Sequence, residues 1–200
     1  MLVVARSHVS LLALVLLAGC RGSAIRPDVV SSEAVVLELP IVEQDELYEC
    51  GLAAITALCR YHGMELPPGE RALLAATARE RAGLSGGELQ GALERSGFVV
   101  YLFEGTLDRA ATGVFAHLDR GRPLLVMTSE DGATRHYELL IGYDPALGNL
   151  ILFDPRRGRV VLPTTAFETL WARAGRFTLL ALPGASAAPG PTQAETTRSP

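Results

Sequence analysis

Apolar and polar positions divide this chain into a helical first half and a strand-rich second half. Residues 50–61 are apolar nearly all round a helical wheel (Leu52, Ala53, Ala54, Ile55, Ala57, Leu58), which predicts a buried helix ended by Gly63 and Pro67-Pro68. A second helix is predicted over 70–81, stopped by Gly83, and a third over 87–95, closed by Gly97. Ser85, with Glu88 three residues on, is a capping box for the third. A short strand over 35–40 precedes these helices, and strands over 99–103, 123–127, 137–143, 150–153, 159–162 and 177–182 follow them. Residues 144–149 make a hairpin turn, and helices are predicted over 107–120 and 164–174. Helices first, then an antiparallel sheet, is an α+β plan.

The termini break the pattern. Arg6 is followed by an apolar run over 9–17, too short for a bilayer, which takes roughly 20 apolar residues. Leu17-Ala18-Gly19-Cys20 resembles a bacterial lipobox, which implies cleavage before Cys20 and lipid on that residue. The division expected is therefore a lipoprotein signal peptide over 1–19, a lipidated tether over 20–34, a folded domain over 35–183, and a Gly/Ala/Pro-rich tail over 184–200 that cannot bury a core. The protein would be anchored to the membrane of the cell envelope, facing outside the cytoplasm.

Composition removes several functions. Two hundred residues, 48% hydrophobic and 20% charged, allow one domain with a core of ordinary size. A formal charge of −4 with no basic stripe argues against nucleic acid as a partner. All 18 basic residues are Arg, so a Walker P-loop and a Lys Schiff base are both excluded. Leu84-Ser85-Gly86-Gly87-Glu88 looks like an ABC-ATPase signature loop, but without a P-loop it is read as a helix start. Scattered His62 and His117 with Cys59 make no metal site, and no metal or other cofactor is expected. Trp171 shares an apolar helical stripe with Phe167 and Leu170 and is read as core.

The candidate chemistry centres on Cys50. It opens the buried helix, where the positive end of the helix dipole favours negative charge on sulfur. Gly51 leaves backbone N–H groups open to an oxyanion, and Gln44 stands six residues upstream, far enough to turn its amide back. His136 opens a strand and shares a pleat face with Glu138 and Leu140. Asp154 ends the partner strand; it shares a face with His136 only if paired positions sum to an even number. Asp144, the rival carboxylate, sits at the turn and is read as turn punctuation. Cys50 and Cys59, roughly 13 Å apart along a helix, cannot form a disulfide, and Cys59 is read as core.

Gln44…Glu49-Cys50-Gly51-Leu52-Ala53-Ala54, His136-Tyr137-Glu138-Leu139-Leu140-Ile141-Gly142-Tyr143 and Phe153-Asp154-Pro155 resemble the C39 family of bacterial cysteine peptidases, the bacteriocin-processing group, over roughly residues 40–182. The resemblance implies a papain-like fold. It also implies Cys50 as nucleophile, His136 as general base and acid, Asp154 as orienter of the ring, and Gln44 with the Cys50 and Gly51 backbone in the oxyanion hole. Its substrate would be a peptide or protein, and a peptide exporter is the partner the family suggests. The chain resembles the stand-alone members, so double-glycine specificity is not carried over. A thiol acyl or peptidyl transferase and a non-catalytic peptide-binding lipoprotein are the alternatives. Arg156-Arg157-Gly158-Arg159 is read as a solvated turn, with attraction of a substrate carboxylate as the second reading.

Overall fold

The computed structural model describes residues 30–185. The expected signal peptide, Cys20, the tether up to residue 29 and the tail from residue 186 lie outside the described residues. The elements run in the order β1 (Val35–Val36), α1 (Cys50–Tyr61), α2 (Pro68–Arg81), α3 (Gly86–Arg95), β2 (Phe98–Glu104), α4 (Val114–Leu118), β3 (Leu124–Thr128), β4 (His136–Asp144), β5 (Asn149–Asp154), β6 (Gly158–Pro163), α5 (Thr164–Arg173) and β7 (Phe177–Pro183). The strands form one antiparallel sheet in the order β2-β7-β3-β4-β5-β6. β1 pairs with β4 at Tyr143 and Gly142, past the end of β3.

The near-continuous apolar runs of β3, β4 and β5 follow from helices on both faces of the sheet. Leu125, Met127, Leu139, Ile141, Ile151 and Phe153 pack toward α1, α2 and α3. Their alternates Leu124, Val126, Leu140, Leu150 and Leu152 pack with Phe167 and Trp171 of α5 and Val114 and Leu118 of α4. A strand buried on both faces loses the polar half of its alternation. Burying one such Leu is worth about 1.5–3 kcal/mol, so these layers hold the site's walls in place.

The strand expected over 35–40 is a strand only at Val35–Val36; otherwise the elements match expectation closely, with two further differences. The predicted helix over 107–120 is helical only at Val114–Leu118. Asp108 explains the loss: its carboxylate accepts the Ala110 N–H, and its carbonyl accepts the Phe115 N–H. A short acid that bonds the local backbone competes with helix formation. The second difference is at the N-terminal side. Ser31 falls within the expected tether, yet its N–H and hydroxyl bond the buried Asp144 carboxylate at 2.6 and 2.8 Å. Asp144 also accepts the Ala146 and Leu147 N–H groups, so it is both turn cap and anchor for the entering chain.

Candidate active site

α1 brings Cys50 to the end of the sheet where β4 begins and β5 ends. All residues from Cys50 to Cys59 are buried, so apolar burial rather than capping holds this helix; Glu49 at its N-cap makes no side-chain cap. Gly51 permits the approach: a Cβ there would lie 3.1 Å from the Tyr137 ring and 3.2 Å from Leu89. The helix start is thus pressed against β4, one residue from His136. Among the described residues, no hydrogen-bond acceptor takes the N–H of Cys50 or Gly51, as expected for a first helical turn.

His136 Nε2 lies 3.0 Å from Asp154 Oδ1. The Asp154 carboxylate is 1% exposed. Its Oδ1 also accepts the Arg156 N–H at 2.7 Å, and its Oδ2 accepts Arg157 Nε at 2.5 Å. Burial disfavours charge on both partners. For His136 the hydrogen bond to Asp154 and the nearby Cys50 sulfur win, and the imidazole is pushed up to about 10. For Asp154 the bonds from His136, the Arg156 backbone and Arg157 win, and the carboxyl is held well below the usual range. Since Nε2 is engaged by Asp154, Nδ1 is the ring nitrogen left for Cys50.

Gln44 stands apart from this cluster. Its Nε2 donates to the Glu46 carbonyl at 2.6 Å, while its backbone N–H bonds the Pro155 carbonyl. The side chain lines a shallow hollow with Glu43, Asp45, Glu46 and Arg156, not the cavity at Cys50. One amide hydrogen remains unused by Glu46. Cys59 is buried with its thiol pushed up to about 12 by desolvation and by Glu65, consistent with a core role.

Two further residues stand beside the dyad: Glu138, to which the sequence assigns no role, and Arg157, from the stretch read as a solvated turn. Glu138, 2% exposed, accepts the Thr128 hydroxyl at 2.8 Å, while its Oε1 has no hydrogen bond. Arg157 bridges Asp154 and Glu138, its Nη2 3.7 Å from Glu138 Oε1. The Arg156–Arg159 stretch is therefore not simply a solvated turn. The signal was in the sequence: Glu138 shares the pleat face of His136, and an acid on a strand buried on both faces needs a partner. His136, Glu138 and Asp154 offer ligand atoms within 4.8 Å of one another. His136 Nε2 is already bonded to Asp154 Oδ1, and Arg157 already lies against both carboxyl groups, so the cluster reads as a hydrogen-bonded ion-pair network.

Two cavities flank the dyad. One of about 680 Å³ contains Cys50 and is walled by Leu84, Met127, Tyr137 and Phe177. The other, about 540 Å³, contains His136 and Asp154 and is walled by Glu138, Arg156 and Arg157. Leu47, Thr134 and Arg135 border both.

The model of the peptidase C39 family matches residues 38–181. The chain belongs to the peptidase C39 family. It is accordingly a cysteine-type peptidase, a hydrolase, with the papain-like α+β fold. Solved structures similar to it include a double-glycine motif protease from an AMS/PCAT transporter in complex with a leader peptide, at 18% identity and TM-score 0.58, covering 74% of this chain and 94% of that one. The peptidase domain of Streptococcus ComA, a bifunctional ABC transporter involved in quorum sensing, gives 18% identity and TM-score 0.58, covering 73% and 98%. A C39-like peptidase from Bacillus anthracis gives 16% identity and TM-score 0.57, covering 75% and 98%. At these identities the likeness speaks for the fold. No curated protein matches the chain.

Proposed function

We propose that this C39 peptidase hydrolyses peptide bonds through Cys50, His136 and Asp154. The observation that carries the reading is the 3.0 Å His136–Asp154 bond beside a cysteine at a helix start. The Cys50 sulfur attacks the substrate carbonyl, and charge on the carbonyl oxygen meets the unengaged N–H groups of Cys50 and Gly51. As the tetrahedral intermediate collapses, the C–N bond breaks and the leaving amine takes the proton from His136, leaving a thioester on Cys50. Water then attacks the thioester, His136 accepts its proton, and the acid product leaves with the thiol restored. Asp154 keeps the ring oriented throughout. Gln44, half-buried with its Oε1 unpartnered, joins the oxyanion site if its amide swings from the Glu46 carbonyl.

The substrate is an exported peptide or a peptide leader, processed at the cell envelope by a protein held there through Cys20. The likeness to transporter peptidase domains, one of them holding a leader peptide, supports a peptide substrate and an exporter as partner. The lipobox-like Leu17-Ala18-Gly19-Cys20 supports the anchor.

The test is turnover of a peptide library by the wild type, Cys50→Ala and His136→Ala, with products read by mass spectrometry. Both variants should lose cleavage altogether. Full activity in Cys50→Ala would end this reading. For the anchor, Cys20→Ala should release the protein from the membrane fraction, and unchanged fractionation would remove that part of the proposal.

A further inference from the structure

We propose that Arg157, steadied by the buried carboxyl of Glu138, is a positioning residue that fixes Asp154 against His136. The inference rests on the Cys50–His136–Asp154 reading and goes beyond it, because it assigns work to two residues that touch neither the thiol nor the imidazole by hydrogen bond.

A carboxylate orients a ring only if its own rotation is fixed. Asp154 can turn about its terminal torsion unless donors hold both oxygens. Oδ1 is held by His136 and by the Arg156 N–H. Oδ2 is held by Arg157 Nε at 2.5 Å; no other hydrogen bond reaches it among the described residues. With the residue 1% exposed, losing Arg157 would leave Oδ2 a buried acceptor without a donor. Rotation of the carboxylate would relieve that state at the expense of the His136 bond.

Arg157 needs holding in turn. Its side chain is 60% exposed on a long flexible stem, and an exposed arginine pays conformational entropy to stay in one geometry. Glu138 supplies the constraint. Its Oε2 is tied to the Thr128 hydroxyl, and Thr128 is the residue of β3 that pairs with His136. Its Oε1, buried and without a hydrogen bond, lies 3.7 Å from Arg157 Nη2. A buried carboxyl with an open oxygen is costly, and the nearby guanidinium compensates it. The frame Thr128–Glu138–Arg157–Asp154–His136 thus joins β3, β4 and the turn after β5. The other groups facing it are Cys50 from α1, Glu130 after β3, and Arg135 and Arg156 on the rim of the adjoining cavity.

Position and charge give opposite signs, which makes the idea testable. As a bare cation, Arg157 opposes a proton on His136, and removing it would raise the pH at which the ring deprotonates. As the clamp on Asp154, Arg157 favours that proton, and removing it would lower that pH.

The experiment follows the His136 imidazole by NMR against pH in the wild type, Arg157→Gln, Arg157→Lys and Glu138→Gln, and measures iodoacetamide labelling of Cys50 alongside. In Arg157→Gln the ring should deprotonate about one pH unit lower. Cys50 labelling should slow between about pH 9 and 10, where the ring of the variant has lost its proton and that of the wild type has not. Arg157→Lys, which keeps a cation, should recover part of both, and Glu138→Gln should move His136 the same way by less. An unchanged or raised His136 titration in both Arg157 variants overturns the proposal. If wild-type Cys50 labels no faster than Cys59, the nucleophile reading fails as well, and that result is distinct from the first.

Discussion

His136 and Asp154 face each other because β4 carries one residue more than β5 between the hairpin turn and the site. Next to the turn, Asp144 pairs with Asn149 and Tyr143 with Leu150; next to the site, Leu140 pairs with Leu152 and Leu139 with Phe153. The register shifts at Ile141, a β-bulge. Carried through unshifted, the turn's register would set Asp154 opposite Leu139, on the α1 face, away from His136. The shift also turns Tyr143 to the face opposite Leu139 and Ile141. β1 seals the bulge: the Ile141 carbonyl accepts the Leu37 N–H, and Gly142 lies against the Val35 carbonyl.

Gly142→Ala should therefore harm both stability and activity. Its Cβ would collide with the Val35 carbonyl oxygen, which belongs to backbone and cannot yield. A loss of about 1–3 kcal/mol in urea denaturation is expected, with activity falling further as the register is disturbed. Gly87→Ala, whose Cβ meets nothing within 4 Å, is the control and should leave both unchanged or slightly improved.

The two described thiols should differ sharply. Limited iodoacetamide at neutral pH should label Cys50, which opens onto a cavity, well before Cys59, which is fully buried with its thiol pushed up to about 12. Peptide mapping reads the ratio, and His136→Ala should slow the Cys50 reaction while leaving Cys59 as it was.

Asp154→Asn keeps the shape of the side chain and removes its charge. Turnover should fall by roughly two to four orders of magnitude, since the amide orients the ring poorly and leaves its charged form uncompensated. Steady-state kinetics should show the loss mainly in kcat. A rise in KM with kcat unchanged would assign Asp154 to substrate binding instead.

The dyad ties stability to pH on both sides. His136 holds its proton up to about 10 when folded, against 6.5 for a free imidazole. Its contribution is complete below about pH 6.5 and is lost as pH rises through about 10. Asp154 has the opposite sign: its contribution is present above the ordinary carboxyl value near 3.8 and is lost as pH falls through its lowered folded value. Thermal melts of the wild type and His136→Gln should diverge most between pH 4 and 6.5 and converge toward pH 10. Parallel curves across that range would separate the pair from folding stability.

Asp144→Ala should free the entering chain. Ser31 would lose both of its bonds to the carboxylate, and the turn would lose its cap on Ala146 and Leu147. Limited proteolysis should then cut near Ser31 at lower protease concentration, with a stability loss of about 1–3 kcal/mol in urea.

Local sequence signals dictate the elements and supply the parts of the site. An unbroken apolar wheel over Cys50–Tyr61 dictates a buried helix, Ser85 with Glu88 dictates the start of α3, and the Gly-Asn end of the hairpin turn dictates the step from β4 to β5. These signals are local, because helix faces, caps and turns are set within a few residues. Cys50, His136 and Asp154 were legible as types in order, since a nucleophile at a helix start and a histidine at a strand start are local features too. The shortening of the 107–120 helix shows the limit of periodicity, since Asp108 overrides it with one carboxylate. The assembly of the site is non-local. The bulge at Ile141 sets the face of Asp154, Gly51 sets how closely α1 meets Tyr137, and Arg157 finds Asp154 and Glu138 rather than solvent. Each depends on pairing between segments far apart in the chain, where shifting the register by one residue reverses every side chain and leaves the local pattern unaltered.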